Sequence, residues 1–308
     1  MKALAGFIVS GRYQAILMAS LCGILAFMLP PFSTLTNYLG AAVVSLVTLR
    51  IGISQGLLVL SAATLVTLLF HQLTGVPVAT IAVTVLMLWV PCWLISVVLR
   101  RTVNLAFAMF TAAAIGVVAL VSVYAVTGDP SPWWHEHLKL LRSAFEGAGM
   151  LPHGASADAL LEELSHLMTG VIIASLVLGA VCSLLLARWW QAQLVNPGGL
   201  HSEFCSLRFW QSTGLMLVGL MLLSQVTRGA PGDMAAQAVL VMLVPYLFAG
   251  LAVLHGVVAR QGRGRGWLIA VYVLLGIIPQ VALLLAGLGL VDTWVDFRRR
   301  LGGDKPVL

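Results

Sequence analysis

Long apolar runs alternate with short polar segments along the whole chain. A helix rises about 1.5 Å per residue, so it needs about 17–25 apolar residues to cross the hydrocarbon core of a membrane. Eight runs meet this length, and they lie at residues 13–32, 53–72, 78–99, 102–127, 168–189, 210–226, 235–259 and 267–290. The pattern predicts an all-α fold, a polytopic membrane bundle of eight or nine transmembrane helices, with residues 1–308 as one transmembrane domain.

A ninth apolar run, residues 37–49, is short for a span and ends at Arg50. It is either a short span or a re-entrant segment. If it crosses, ten basic residues fall in the cytoplasm and three in external loops, as the positive-inside bias requires. The tail at 298–300 is then an exception, because nine crossings from an inside N-terminus leave its three arginines outside.

Residues 128–167 form the longest loop between the runs. This loop holds six acidic residues and two basic ones, so we expect it on the extracytoplasmic side. Ser131 is expected to cap a helix there. Trp134 and Leu138 begin an apolar stripe with helical spacing, which indicates an amphipathic helix that could lie along the membrane surface.

A second loop, residues 188–209, is expected in the cytoplasm. Asn196, Pro197, Gly198 and Gly199 have the composition of a turn. Further on, the basic, glycine-rich residues 260–266 would sit well against anionic lipid head groups on the same side.

Charge is scarce and confined to the segments between the runs. Only 9% of the residues are charged while 60% are apolar, which excludes an ordinary soluble domain. All 11 acidic residues fall outside the apolar runs, as expected where an ionised carboxylate costs several kcal/mol in hydrocarbon. The net charge of +6 comes from basic clusters between the runs, which we interpret as signals of membrane topology. The expected partners are therefore the lipid bilayer, other membrane proteins or a small neutral ligand, and no nucleic acid.

Few residues in the runs could carry out chemistry. His255 is the one ionisable side chain well inside a run, and a lone histidine is more often a helix contact than a proton relay or ligand. The loop histidines do not have the spacing of a metal site on a helix, and the four cysteines form no CxxC pair. No nucleotide-binding, protease or hydrolase motif occurs. The sequence predicts no enzyme, no catalytic residue, no metal and no cofactor.

Uncharged polar residues in the runs are the remaining candidates for ligand binding. They are Asn104, Tyr246, His255 and Gln280. Tyr246 and Gln280 each follow a proline, which frees a backbone carbonyl and can mark a broken helix that lines a cavity. The alternative interpretation is a kink that serves packing alone.

A charged motif follows the last run. It consists of Asp292, Trp294, Asp296 and Arg298. One interpretation is an interfacial anchor, with tryptophan at head-group depth. In the other, the helix continues past the membrane and its acidic row docks against the basic residues 260–265. Docking requires residues 267–290 to turn back at Pro279–Gln280, which would also remove the exception at the tail.

Two stretches carry a resemblance to a known family. From Leu186 to Leu200 the chain reads LARWWQAQLVNPGGL, and from Leu290 to Arg300 it reads LVDTWVDFRRR. There it resembles the YybS-like family of bacterial integral membrane proteins, a family of unknown function that is distantly similar to the substrate-binding S components of energy-coupling-factor transporters. The resemblance implies a membrane fold and a binding role but no catalytic residue. The extra spans depart from the six-span S-component pattern.

The leading hypothesis is a non-enzymatic, multi-pass protein of the bacterial inner membrane that binds a small neutral ligand as an S component does. The alternative is a membrane scaffold or interaction protein without ligand transport. A lipid-modifying enzyme is the least favoured, because the runs lack acid and base groups.

Overall fold

The computed structural model describes residues 1–72, 75, 77–147, 155–261 and 266–301, and the regular elements in these ranges are helices. They are α1 (Lys2–Val9), α2 (Arg12–Met28), α3 (Ser33–Arg50), α4 (Ile53–Gln72), α5 (Val78–Thr84), α6 (Val90–Thr102), α7 (Leu105–Thr127), α8 (Ser131–Gly147), α9 (Ala155–Ser165), α10 (Met168–Val195), α11 (Gly199–Cys205), α12 (Gln211–Val226), α13 (Ala230–Arg260), α14 (Gly266–Ile277), α15 (Gln280–Val295) and α16 (Phe297–Leu301). A 3₁₀ turn at Pro30–Phe32 precedes α3, and a π-helical segment at Val85–Trp89 joins α5 to α6.

Within the described ranges, five helical segments are long and apolar enough to cross a membrane: α4, α5 with α6, α7, α10 and α13. There are up to six if α1 and α2, which meet at a bend of 117°, form one broken span. The predicted all-α membrane fold is confirmed. The predicted number of eight or nine spans is not, because α12, α14 and α15 are shorter apolar helices.

The chain divides into two compact units. Unit 1 comprises residues 1–112, 176–209 and 245–308, and unit 2 comprises residues 113–175 and 210–244. The long helices α7, α10 and α13 each contribute residues to both units.

Helix α3 is the core of unit 1. It packs against α2, α4 and α6, and its residues 40–49 are buried without interruption. A helix that is apolar on every side is stable only inside a bundle. The run 37–49 is the second part of an unbroken helix of 18 residues, about 27 Å long. Its polar first turns, which include Ser33 and Asn37, hid its full length in the sequence.

The basic ends of several helices meet at one end of unit 1. Arg100 Nη1, near the end of α6, donates to the carbonyl oxygens of Thr48 and Leu49 at 3.1 and 2.6 Å. Gln191 Nε2, near the end of α10, donates to the same Leu49 carbonyl at 3.3 Å. We name this end, which also carries Arg50, the basic end. The opposite end holds the link between α2 and α3, residues 29–32.

The prediction that residues 267–290 cross as one span is wrong. Helix α14 ends at Ile277 and α15 begins at Gln280, because Pro279 has no N–H to donate and disfavours helix in the residue before it. Arg260 Nη1, before α14, donates to the carbonyl oxygen of Arg298, after α15, at 2.9 Å. The two helices therefore form a hairpin that leaves the basic end and returns to it.

In unit 2, α8 and α9 pack against each other. The start of the apolar stripe predicted on α8 packs inside the unit: Leu138 contacts Leu161, and Trp134 Nε1 donates to Thr169 Oγ1 at 2.7 Å. This contact, rather than the membrane surface, covers the start of the stripe. Ser131 does not cap by its own hydroxyl, because its N–H and O–H both donate to Asp129 Oδ1 at 2.9 and 2.7 Å.

Burial raises the pKa of Asp129, but these two hydrogen bonds from Ser131 outweigh it and leave the pKa below its usual value.

Candidate functional site

The residues after α15 form an ion-pair cluster at the basic end of unit 1. Asp292 and Arg298 are 1% and 6% exposed, and their side chains lie 3.4 Å apart. Arg298 Nη2 also donates to the carbonyl oxygen of Leu207 at 2.6 Å. Asp296 Oδ2 accepts from Arg208 Nη1 at 2.9 Å. We name these residues, with Arg260, the C-terminal cluster. Its charges are tied to one another and to backbone carbonyls.

The expected continuous helix past α15 does not form. Asp296 has a φ of +53° and ends α15, and Asp292 Oδ1 accepts the N–H of Phe297 at 2.8 Å in the turn that follows. Asp296 and Asp292 consequently point to different partners. The acidic pair docks on Arg208 and Arg298, whereas the predicted partner was the 260–265 loop. Arg263 and Arg265 of that loop lie outside the described residues.

Burial lowers the pKa of Arg298, and Asp292 and Asp296 raise it in turn. Arg298 nevertheless stays charged, because a guanidinium titrates far above neutral pH. Burial raises the pKa of the nearby Cys205 thiol, against the effect of Arg298 and Arg260. A thiol whose pKa is raised is a poor nucleophile.

A histidine–tyrosine pair lies beside this cluster. His255 Nε2 lies 3.0 Å from the hydroxyl of Tyr272, and the rings of His255 and His201 are 6.3 Å apart between centroids. Both histidines and Tyr272 line two adjoining cavities of about 290 and 580 Å³. Among the described residues, no group of three His, Cys, Asp or Glu side chains could hold a metal ion.

A third cavity, of about 470 Å³, lies at the opposite end of unit 1. Its lining consists of Ala26, Phe27, Ser33, Thr34, Asn37, Tyr38, Thr84, Leu88 and Leu176. We name it the Asn37 cavity. Asn37 Oδ1 accepts a hydrogen bond from Trp89 Nε1 at 2.8 Å, and Trp89 is only 2% exposed. The fixed tryptophan orients the amide, and with it the amide N–H₂ donors of Asn37.

The π-helical segment places these groups. Thr84 precedes it, Leu88 and Trp89 lie within it, and all three contribute to the cavity wall or to the hold on Asn37. π-helical turns are rare and often occur at functional sites, because the extra residue in the turn redirects the side chains that follow. The segment therefore marks this end of unit 1 as a candidate ligand site.

In unit 2, Gln237 joins two polar groups. Its Nε2 donates to the hydroxyl of Tyr124 at 2.9 Å and to the carbonyl oxygen of His166 at 2.6 Å. His166 Nδ1 lies 2.7 Å from Asp233 Oδ2. Gln237 is 1% exposed and its Nε2 has two partners, so we interpret the network as a structural contact between helices.

The four predicted ligand-binding residues do not come together. Asn104 accepts the N–H of Phe107 at 3.0 Å and caps the start of α7. Tyr246 is 1% exposed and its ring lies 5.2 Å from that of Phe209. Gln280 is exposed at the start of α15. His255 is the member of the set that lines a described cavity.

The predicted interaction residues lie mostly at the basic end. The turn forms as expected: Gly199 donates its N–H to the carbonyl oxygen of Asn196 at 3.0 Å, and Gly198 has a φ of +92°. Gly199, after Pro197 and Gly198, is the first residue of α11. Trp294 is 39% exposed, as an interfacial anchor would be.

Sequence reasoning missed Asn37, Tyr38 and Gln237. Each is an uncharged polar residue within or beside an apolar run, the same signal that singled out Asn104. Gln237 was passed over near the start of the run at 235–259. Asn37 and Tyr38 were taken as the edge of a short run, because their helix was assigned too short.

The helical segments, their apolar surfaces and the basic end define a polytopic α-helical membrane protein. The chain belongs to the family described as Predicted membrane protein (DUF2232), whose model matches residues 16–293. Comparisons with curated proteins and with solved structures found no match.

Proposed function

We propose that this protein binds a small, uncharged polar molecule in the Asn37 cavity and acts without catalysis, as the S component of a transporter does. The observation that carries the proposal is the cavity itself, about 470 Å³ in volume. Ligand pockets in proteins have volumes of roughly 300–1,000 Å³ and use a few placed polar groups for specificity.

The chemistry of the lining supports an uncharged ligand. The polar groups are the hydroxyls of Ser33, Thr34, Thr84 and Tyr38 and the amide of Asn37, and the rest of the wall is apolar. A charged ligand would leave its charge without a counter-ion in this wall, which is costly away from water. Hydroxyl and amide groups can both donate and accept, so they suit a molecule with carbonyl, hydroxyl or amide groups.

The location of the cavity supports capture from outside the cell. We propose that the basic end faces the cytoplasm of a bacterium, because basic residues near span ends favour that side of the inner membrane. The Asn37 cavity then opens toward the outer face. The resemblance to the YybS-like family and, distantly, to S components agrees with such a binder, and we propose that transport requires a separate energising partner.

Bound ligand in the purified protein tests this proposal. The full chain is extracted from native membranes in mild detergent and denatured, and the released small molecules are identified by mass spectrometry. We expect one compound in near-stoichiometric amount from the wild type. Thr34→Trp should release less than a tenth as much, because the indole fills the cavity, whereas Tyr38→Phe should retain an intermediate amount through the loss of one hydroxyl.

Thr127→Trp is the matched control, since Thr127 is exposed at the end of α7 and should not affect retention. Equal release from wild type and Thr34→Trp would overturn the proposal. A stoichiometric membrane partner in the same preparations, with no released compound, would favour the scaffold alternative.

A further inference from the structure

A second site, separate from the Asn37 cavity, lies beside α14 at the basic end. Two adjoining cavities share His201, His255 and Tyr272. The smaller, about 290 Å³, is lined on its far side by Trp189 and Phe204. The larger, about 580 Å³, is otherwise lined by aliphatic side chains from α13 and α14. A polar, aromatic compartment thus adjoins an aliphatic one.

The polar side chains of the site include the rings of His255 and Tyr272 and the amide of Gln193. His255 Nε2 and the Tyr272 hydroxyl are 3.0 Å apart, and one donates to the other. The described lining of the two cavities contains no Lys, Arg, Asp or Glu. A phosphate needs cationic partners at such depth, and the described lining offers none. A neutral group with oxygen acceptors fits instead.

The walls favour a flat ring. Phe204 stands edge-on to His255, with 5.6 Å between ring centroids and 88° between planes, and the Tyr272 ring is 5.9 Å from that of His255. Trp189 closes the smaller cavity. Aromatic side chains arranged around a space of this size stack against planar π-systems, which saturated lipid head groups lack.

Access comes from the side of α14. None of the residues of this helix is buried, and Ile269 and Tyr272, which line the cavities, are 62% and 47% exposed. In a membrane, such an apolar exposed face contacts lipid chains. A ligand dissolved in the bilayer can therefore enter between α14 and α13 without passing through water.

We propose that this site binds a prenylated quinone or a closely related neutral lipid with a carbonyl-bearing ring. One donor of the hydrogen-bonded His255–Tyr272 pair is used within the pair, and the other, either the Tyr272 hydroxyl or the His255 Nδ1–H, donates to a quinone carbonyl oxygen. Phe204 and Trp189 hold the ring, and the hydrocarbon tail occupies the larger cavity beside Ile269. Binding requires no redox step, and the protein's role toward the quinone is recognition.

Binding of decylubiquinone, a benzoquinone with a saturated ten-carbon chain, tests the proposal. The full-length protein is placed in phosphatidylcholine nanodiscs, and bound quinone is measured in excess of empty discs. We expect saturable binding by the wild type. Tyr272→Phe and His255→Phe keep the ring shapes but remove a donor each, so each should weaken binding about three- to tenfold. Ala259→Trp should abolish it, because the indole fills the larger cavity.

Tyr13→Phe is the matched control, since Tyr13 is 71% exposed on α2 and lines neither cavity. Decyl phenyl ether, which has a ring and chain but no carbonyl, should not bind saturably. The proposal is overturned if wild-type discs hold no excess quinone, if the ether binds equally, or if the variants all match the wild type. Displacement of the quinone by phosphatidylglycerol would equally overturn it, in favour of an anionic lipid site.

Discussion

The C-terminal cluster and the Asn37 cavity, at the two ends of unit 1, differ in the charge and the pairing of their polar groups. At the basic end, Asp292 and Arg298 are almost fully buried and paired with each other, and Arg298 also donates to the carbonyl oxygen of Leu207. Asp296 is paired with Arg208. At the opposite end, Asn37 and Tyr38 are uncharged, partly buried and line a cavity of about 470 Å³.

This difference follows from the cost of burial. A buried charge must be paired, and the pair then fixes the groups that it joins. Uncharged hydroxyl and amide groups are less costly to leave beside a cavity, where a ligand can later take over their hydrogen bonds. We therefore expect mutations in the C-terminal cluster to affect folding and mutations at the Asn37 cavity to affect its occupancy.

The largest effect is expected at Arg298. Arg298→Ala leaves the Asp292 carboxylate, which is 1% exposed, without its cationic partner. Breaking a buried pair from one side typically costs about 3–5 kcal/mol. We expect the free energy of unfolding to fall by this amount. It is measured by circular dichroism in mixed micelles as a denaturing detergent is added.

Arg299→Ala is the control for this experiment, because Arg299 is exposed and its loss should change stability by less than about 0.5 kcal/mol. The double variant Asp292→Asn with Arg298→Ala should recover a large part of the loss, since no unpaired charge remains while the amide oxygen can still accept the N–H of Phe297. A single Arg298→Ala variant as stable as Arg299→Ala would show that the buried pair does not stabilise the fold.

A smaller effect on stability and a clear one on occupancy are expected at Gly179. A Cβ at this position would overlap the ring of Tyr38, which lines the Asn37 cavity. Gly179→Ala should cost about 1–3 kcal/mol through the forced movement of Tyr38 and should lower the amount of co-purified ligand.

Gly219→Ala is the matched control in another apolar helix, where a Cβ has open space. It should be neutral or stabilising by up to about 1 kcal/mol, as alanine is the better helix former. Full ligand retention in a destabilised Gly179→Ala variant would show that Tyr38 does not contribute to ligand binding.

Much of the fold could be predicted from the apolar runs, because a helix that crosses the hydrocarbon core of a membrane must be apolar. Helix α4 matches the predicted run at 53–72, and the long helices α7, α10 and α13 each contain most of a predicted run. Helix α3 was predicted too short, since its first turns are polar and only partly buried, and their contacts are with distant segments.

The sites were harder to predict than the helices. The hydrogen bond between Asn37 and Trp89 joins residues 52 positions apart, and no local pattern encodes it. The proline and the charged motif together raised the possibility that residues 267–290 turn back. They did not indicate that Asp296 pairs with Arg208, because Arg208 lies 88 positions away in the sequence. Periodicity indicates which face of a helix is apolar, whereas hydrogen bonds and ion pairs between distant residues depend on how the helices pack.

The contacts of Arg298 place the tail at 298–300 at the basic end, and we expect this end to lie on the side of the membrane opposite the Asn37 cavity. Labelling of single cysteines with an impermeant maleimide in whole cells with a permeabilised outer membrane tests it most directly. In a background in which Cys22, Cys92, Cys182 and Cys205 are replaced by alanine, Phe32→Cys reports the cavity end, Arg101→Cys the basic end and Arg300→Cys the tail.

All three reporter positions are exposed. We expect Phe32→Cys to react in these cells, and Arg101→Cys and Arg300→Cys to react only after the inner membrane is opened. Reaction of Arg300→Cys together with Phe32→Cys before the membrane is opened would place the tail across the membrane from Arg101 and contradict the account.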